Sequence, residues 1–168
     1  MRTSPEPERL RRGKQFHRTI QQEWLRTTKD GQARPERSIR KVNGRNGRVD
    51  ILVEELGDFV ALVEIKATDW NRMAEGNVPR NARRHIRQLW TYIDAALELE
   101  GQQVCPGIIF PTRPRDPRRT DLIEKLFNDE GIQVVWHDES IDALKNRKAS
   151  QSDSGHSWPT SASAERER

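Results

Sequence analysis

The 168-residue chain is poor in cysteine, carrying Cys105 alone. A single thiol excludes a disulfide framework and a four-cysteine zinc site. Cys105, next to Pro106, reads as a small buried or semi-buried side chain. No apolar run is long enough to span a bilayer. The opening Met1-Arg-Thr-Ser-Pro-Glu-Pro-Glu8 holds no hydrophobic segment of the secretory kind. A cytoplasmic protein without a membrane is therefore expected. The four histidines, His17, His85, His137 and His156, lack metal-ligand spacing and read as surface groups. Serine and histidine form no hydrolase arrangement, and there are no internal repeats.

What the chain does hold is charge. Charged residues make up 33% and hydrophobic residues another 33%, so the core is modest and the length suits one domain. The net charge is only +4, but residues 1–48 contain fourteen Lys or Arg against five Asp or Glu. Two further basic clusters are Arg80/Arg83/Arg84/Arg87 and Arg113/Arg115/Arg118/Arg119. Basic patches suit a polyanion, because each phosphate contact releases counterions.

The coarse order is helix, strand, strand, strand, helix, strand, helix, strand. Pro7–Thr28 reads as a helix with Phe16 and Ile20 on one face, and Glu23 falls on that apolar stripe. Ser38–Asn43 is a first strand, and Asn46-Gly47 is a tight-hairpin signal leading into the second. Asn81–Glu100 is helical by period, with Ile86, Leu89, Trp90, Ile93 and Leu97 as its core face and Gln88 and Tyr92 on another. Gly107–Phe110 and Ile132–Trp136 read as strands around a helix near Arg118–Asn128. The domain spans residues 1–145, and 146–168 reads as a Ser-rich disordered tail.

The chemistry concentrates in Arg48–Glu55 and Asp58–Lys66, two Val/Ile/Leu-rich runs on either side of the turn residue Gly57. In a hairpin centred on Gly57, residues whose numbers sum to 114 lie opposite each other. Leu52 then faces Leu62, and Asp50 faces Glu64. Alternation along the strand puts Lys66 on the same face as Glu64. Opposed Cβ atoms are about 4.5–5.5 Å apart, a distance at which two carboxylates repel unless a cation or proton intervenes. The pair suits a metal.

Asp50 followed by Glu64-Ile-Lys66 on the adjacent strand resembles the PD-(D/E)xK phosphodiesterase superfamily, with Val49 in place of the proline of the family name. Gln88-Leu-Trp-Thr-Tyr92 is similar to the Gln-x-x-x-Tyr motif of its RecB-type branch, although a lone cysteine excludes the iron–sulfur cluster of some relatives. The resemblance implies an α/β, restriction-endonuclease-like fold: a central mixed β-sheet flanked by helices in αβββαβαβ order. It implies metal-dependent phosphodiester hydrolysis, on DNA rather than RNA, with Mg²⁺ as cofactor and Mn²⁺ able to substitute. Asp50, Glu64 and the Ile65 carbonyl would hold the metal, and Lys66 would position water or stabilise charge. Glu23 would supply the acid many members carry on the helix before the sheet. Gln88 would orient the site, and Tyr92, Arg45, Arg48 and Arg84 would contact nucleic acid. A homodimer is compatible with this reading.

Three alternatives stay open. The chain could be a non-catalytic nucleic-acid-binding module, or a regulatory protein in which Lys66 bridges Asp50 and Glu64. It could also be a nuclease toxin effector.

Overall fold

The computed structural model describes residues 6–27, 33–40, 44, 46–54, 59–100, 103–140 and 143. Met1–Asp138 form one compact unit and Glu139–Arg168 a second. The Ser-rich segment 146–168 lies outside the described residues, as does Arg45.

The elements are α1 (Glu8–Thr27), β1 (Ala33–Arg40), β2 (Asn46–Glu54), β3 (Phe59–Ile65), α2 (Val78–Glu100), β4 (Gln103–Phe110), α3 (Pro117–Asn128) and β5 (Gln133–Trp136). The five strands form one sheet in the order β1-β2-β3-β4-β5. The first three pair antiparallel and the last three parallel. Parallel neighbours need a long crossover, and α2 and α3 supply the two. The result is the mixed, helix-flanked sheet in αβββαβαβ order that the sequence led us to expect of a restriction-endonuclease-like fold.

Each face of the sheet has its own core. On one, Val60, Leu62 and Ile108 meet Ala82, Leu89 and Ile93 of α2 and Ile123 and Phe127 of α3. On the other, Ile51, Val53, Val63, Ile65 and Ile109 meet Ile20 of α1, with Phe16 and Trp24 packed beside it. The chain needs both layers because a sheet apolar on two faces must cover both. Trp70 and Phe110 anchor the larger core, their rings edge-on with centroids 5.2 Å apart. Arg119 reaches back from α3 to the carbonyls of Trp70 at 2.6 Å and Met73 at 3.1 Å, tying down the segment after β3. Among the described residues, no helix is long and apolar enough to cross a membrane.

The β2–β3 register follows the 114 rule: Leu52 faces Leu62, Ile51 faces Val63 and Val53 faces Ala61. The first hairpin differs from expectation. Asn46 and Gly47 are not its turn but pair with Arg40 and Ile39 in the ladder, and β1 begins at Ala33 rather than Ser38. Gly44, between these two strands in sequence, has a φ of 76°, open to glycine at little cost. Trp90 is 37% exposed rather than in the core face, and Cys105 is exposed rather than buried.

Candidate active site

Three elements converge at the end of β3. Asp50 sits on β2 one residue before the paired stretch, whose ladder with β3 begins at Ile51 and Val63. Its carboxylate Oδ2 accepts the Ile65 N–H at 2.7 Å, so the side chain takes the bond that a strand carbonyl would have made. On the neighbouring strand, Glu36 opposite this point has φ 55°, an unusual backbone for a non-glycine residue. The sheet is locally distorted where Asp50 lies.

From α1, His17 Nε2 approaches the Ile65 carbonyl at 2.8 Å and Asp50 Oδ2 at 3.6 Å. Gln21, one turn on, donates to the Asp50 carbonyl at 3.2 Å. From α2, Gln88 donates to Glu64 Oε1 at 3.0 Å and to the Tyr92 hydroxyl at 3.3 Å. Lys66 pairs with the same Glu64 oxygen. Glu64 is 3% exposed, so its charge is balanced by an ammonium and an amide rather than by water. Lys66 therefore bonds Glu64, while Asp50 feels its charge without a direct bond. The carboxylates of Asp50 and Glu64 are served by different helices.

Burial raises the Asp50 carboxyl above the ordinary aspartate value of 3.8. The Ile65 N–H and the charges of His17 and Lys66 pull the other way, and Glu36 adds to the rise. An ionised Asp50 thus lacks part of its compensation.

The sequence expectations fare unequally. Glu64, Lys66 and Gln88 lie together, and Asp50 lies beside Ile65. The expected pairing of Asp50 with Glu64 is absent from the ladder, which stops at Ile51 and Val63, because Asp50 turns to the Ile65 N–H and His17 while Glu64 turns to Lys66 and Gln88. Glu23 does not join them; its carboxylate meets His137 Nε2 at 3.1 Å, and His137 also packs edge-on against Phe16. The helix rotation that buries Ile20 turns Glu23 toward the end of β5. Tyr92 is 6% exposed in the larger core, where its hydroxyl supports Gln88 rather than facing a ligand. Arg48 is exposed and pairs with Glu36 at 3.4 Å. Arg84 is exposed on α2.

Of the histidines read as surface groups, His85 is buried and His17 is partly exposed at the site. His17 is the residue that sequence reasoning missed. The available signal was its place beside the Phe16–Ile20 stripe, four residues before Gln21, which puts both on one flank of the helix. His85 is buried in the larger core, with Nε2 3.1 Å from the Thr68 hydroxyl and Nδ1 without a hydrogen-bond partner. Burial first, then the charges of Lys66 and Arg84, lower its pKa to about 4.

That shift has a consequence. A histidine whose folded pKa is depressed stabilises the fold above its unfolded pKa, and the stability is lost as pH falls toward the folded value. Between pH 6.5 and 4 the unfolded chain takes up a proton that folded His85 refuses. We expect roughly 2–3 kcal/mol of His85-linked loss at about pH 4.5. His85→Gln keeps a donor for Thr68 but does not titrate, so its stability should fall less with acid. Urea unfolding of both proteins at pH 7 and 4.5 reads the difference; parallel losses would mean that His85 is not the acid-sensitive group.

Among the described residues, no three His, Cys, Asp or Glu side chains form a metal-binding group. The donor set that does converge is mixed: one imidazole nitrogen, one carboxylate oxygen and one backbone carbonyl. Carboxylate and carbonyl suit Mg²⁺ or Mn²⁺, and the imidazole favours the transition ion. His17 Nε2, Asp50 Oδ2 and the Ile65 carbonyl are the groups here that would hold a divalent cation.

Neither a protein-family model nor a curated protein matches the chain. Among solved structures it is similar to the small subunit of the heterodimeric restriction endonuclease R.BspD6I. The two share 18% identity with a TM-score of 0.43, over 86% of this chain and 73% of that one.

Proposed function

We propose that the chain is a metal-dependent nuclease of the PD-(D/E)xK type, nearest the RecB-like branch, acting on DNA. The observation that carries this reading is the meeting of His17 Nε2, Asp50 Oδ2 and the Ile65 carbonyl beside the Lys66–Glu64–Gln88 cluster. His17, Asp50 and Ile65 would hold a divalent ion, with Glu64 as the further acid. The bound ion would supply Lewis-acid neutralisation of phosphate charge and acidify a water.

The chain's own residues do the rest. The Ile65 N–H fixes the Asp50 carboxylate, and Gln21 fixes the backbone behind it. Gln88, which also donates to the Tyr92 hydroxyl, helps hold the Glu64 carboxylate. Lys66 keeps an ammonium at the site, where it can stabilise charge on the attacking or leaving oxygen. Arg48 and Arg84 are exposed candidates for phosphate contacts, which position a strand without reading its sequence.

The test is incubation with single- and double-stranded DNA and RNA in Mg²⁺, Mn²⁺ or EDTA. Cleavage of DNA with either metal and none in EDTA is the expected result; cutting that persists in EDTA would sink the proposal. Gln88→Ala should slow cleavage by about 10–100-fold, the usual cost of losing a group that orients a ligand. A wild-type rate in that variant would leave the RecB-like assignment without support.

One observation favours a second reading. Lys66 already balances Glu64, which is also what a non-catalytic nucleic-acid-binding protein of this fold would do. Such a protein would show no thermal shift with Mg²⁺ or Mn²⁺.

A further inference from the structure

Helix α1 carries a second stripe beside its core-facing one. Leu10, Gly13, Lys14, His17, Arg18 and Gln21 recur at helical spacing. They line one side of an open groove of about 640 Å³. Glu36 of β1 and Ala67, just past β3, form the facing wall. A Cβ at Gly13 would already touch Ala67 at 3.5 Å, so a larger side chain there would intrude. One end of the groove is the candidate active site itself, through His17 and Gln21.

The charge along the groove is mainly positive. Among the described residues, Arg9, Lys14 and Arg18 line it with one carboxylate, Glu36, which Arg48 already pairs. Lys14 is held by Glu6, but both side chains are exposed and such a pair exchanges readily with a phosphate. Leu10 is 52% exposed, an apolar surface for a base or sugar. From His17 to Arg9 the helix rises roughly 12 Å. Cavities of this volume take ligands of nucleotide size, which admits one strand rather than a duplex.

We propose that this groove holds the sugar–phosphate backbone of a single strand on one side of the bond to be cut, with Arg9, Lys14 and Arg18 as its phosphate contacts. The inference rests on the nuclease reading for the bond, but the binding it predicts is measurable without cleavage.

The experiment uses the full chain in EDTA with a fluorescent oligo-dT and a duplex of equal length, titrated at several salt concentrations. The wild type should bind the single strand more tightly than the duplex. The triple variant Arg9→Gln, Lys14→Gln, Arg18→Gln should bind oligo-dT roughly tenfold or more weakly, with a salt slope reduced by about 2. With metal present, its KM for single-stranded DNA should rise by more than its kcat falls. Unchanged affinity and slope in a variant with a wild-type melt would overturn the groove while leaving metal-dependent cleavage standing. So would a wild type that ignores oligo-dT or prefers duplex. Binding lost in the variant, with no cleavage by the wild type under any metal, would support the groove and overturn the nuclease reading.

Discussion

Replacing Asp50 or Lys66 by Ala, or Glu64 by Gln, should each reduce metal-dependent DNA cleavage by roughly a hundred- to a thousandfold, the usual cost of removing one preorganised charge from a reacting centre. His17→Ala should fall in the same range, because His17 meets both the Asp50 carboxylate and the Ile65 carbonyl. Glu64→Gln is the cleanest of the four. It keeps the oxygen that accepts from Gln88 while removing the charge. Lys66→Ala differs, because it strands a carboxylate that is 3% exposed. Breaking a buried pair costs about 3–5 kcal/mol, so that variant must be assayed well below its melting temperature. Gel assays with matched thermal melts decide the matter. Full activity in Asp50→Ala, Glu64→Gln or Lys66→Ala would exclude the mechanism, and full activity in His17→Ala would remove His17 from the site.

A second large effect is expected in stability. Burial raises the Asp50 pKa above 3.8 in the fold. For an acid shifted upward, the folded chain holds its proton more tightly than the unfolded one. Stability therefore falls as pH rises from about 3.8 through the raised value, and the full cost is present at neutral pH. Asp50→Asn removes that cost and keeps an oxygen for the Ile65 N–H. Its metal-free stability at pH 7 should rise or hold level. Mn²⁺ or Mg²⁺ should stabilise the wild type by about 2.7 kcal/mol at a hundredfold excess over its dissociation constant. Asp50→Asn and His17→Ala should gain much less. Melts of the three proteins in EDTA and in excess metal would show it. Equal shifts in all three would mean that neither side chain is a ligand. A large metal-free loss in Asp50→Asn would point instead to a structural role for the carboxylate.

The two readings that depended on alternation alone agree with the structure. The β2–β3 register and the shared face of Glu64 and Lys66 follow from period-two side-chain geometry, once apolar residues are required to meet. A one-residue slip would have thrown every Val and Leu to the wrong face. The Gln88–Tyr92 spacing likewise gave a real contact, because residues four apart on a helix are neighbours wherever the helix lies. Asn46-Gly47 misled because a local turn preference of this size yields to a ladder that continues past it to Arg40.

Residues whose meaning depends on a second element could not be read. Glu23 sits on the apolar stripe by count, yet the docking of α1 on the sheet turns it to His137. The same docking brings His17, 48 residues away in sequence, onto the Ile65 carbonyl. Tyr92 lies on a face that is polar by composition, and the packing of α2 against sheet and α3 buries it.

The sequence by itself determined the element types, their order, the hairpin register and the Glu64–Lys66 pair on it, because periodicity and chain geometry act within a few residues. Tertiary structure decided which helix flank faces Asp50, which histidine enters the site and which is sealed in the core. Those choices depend on how whole elements rotate to bury their apolar stripes on both faces of the sheet, and no local pattern carries that rotation.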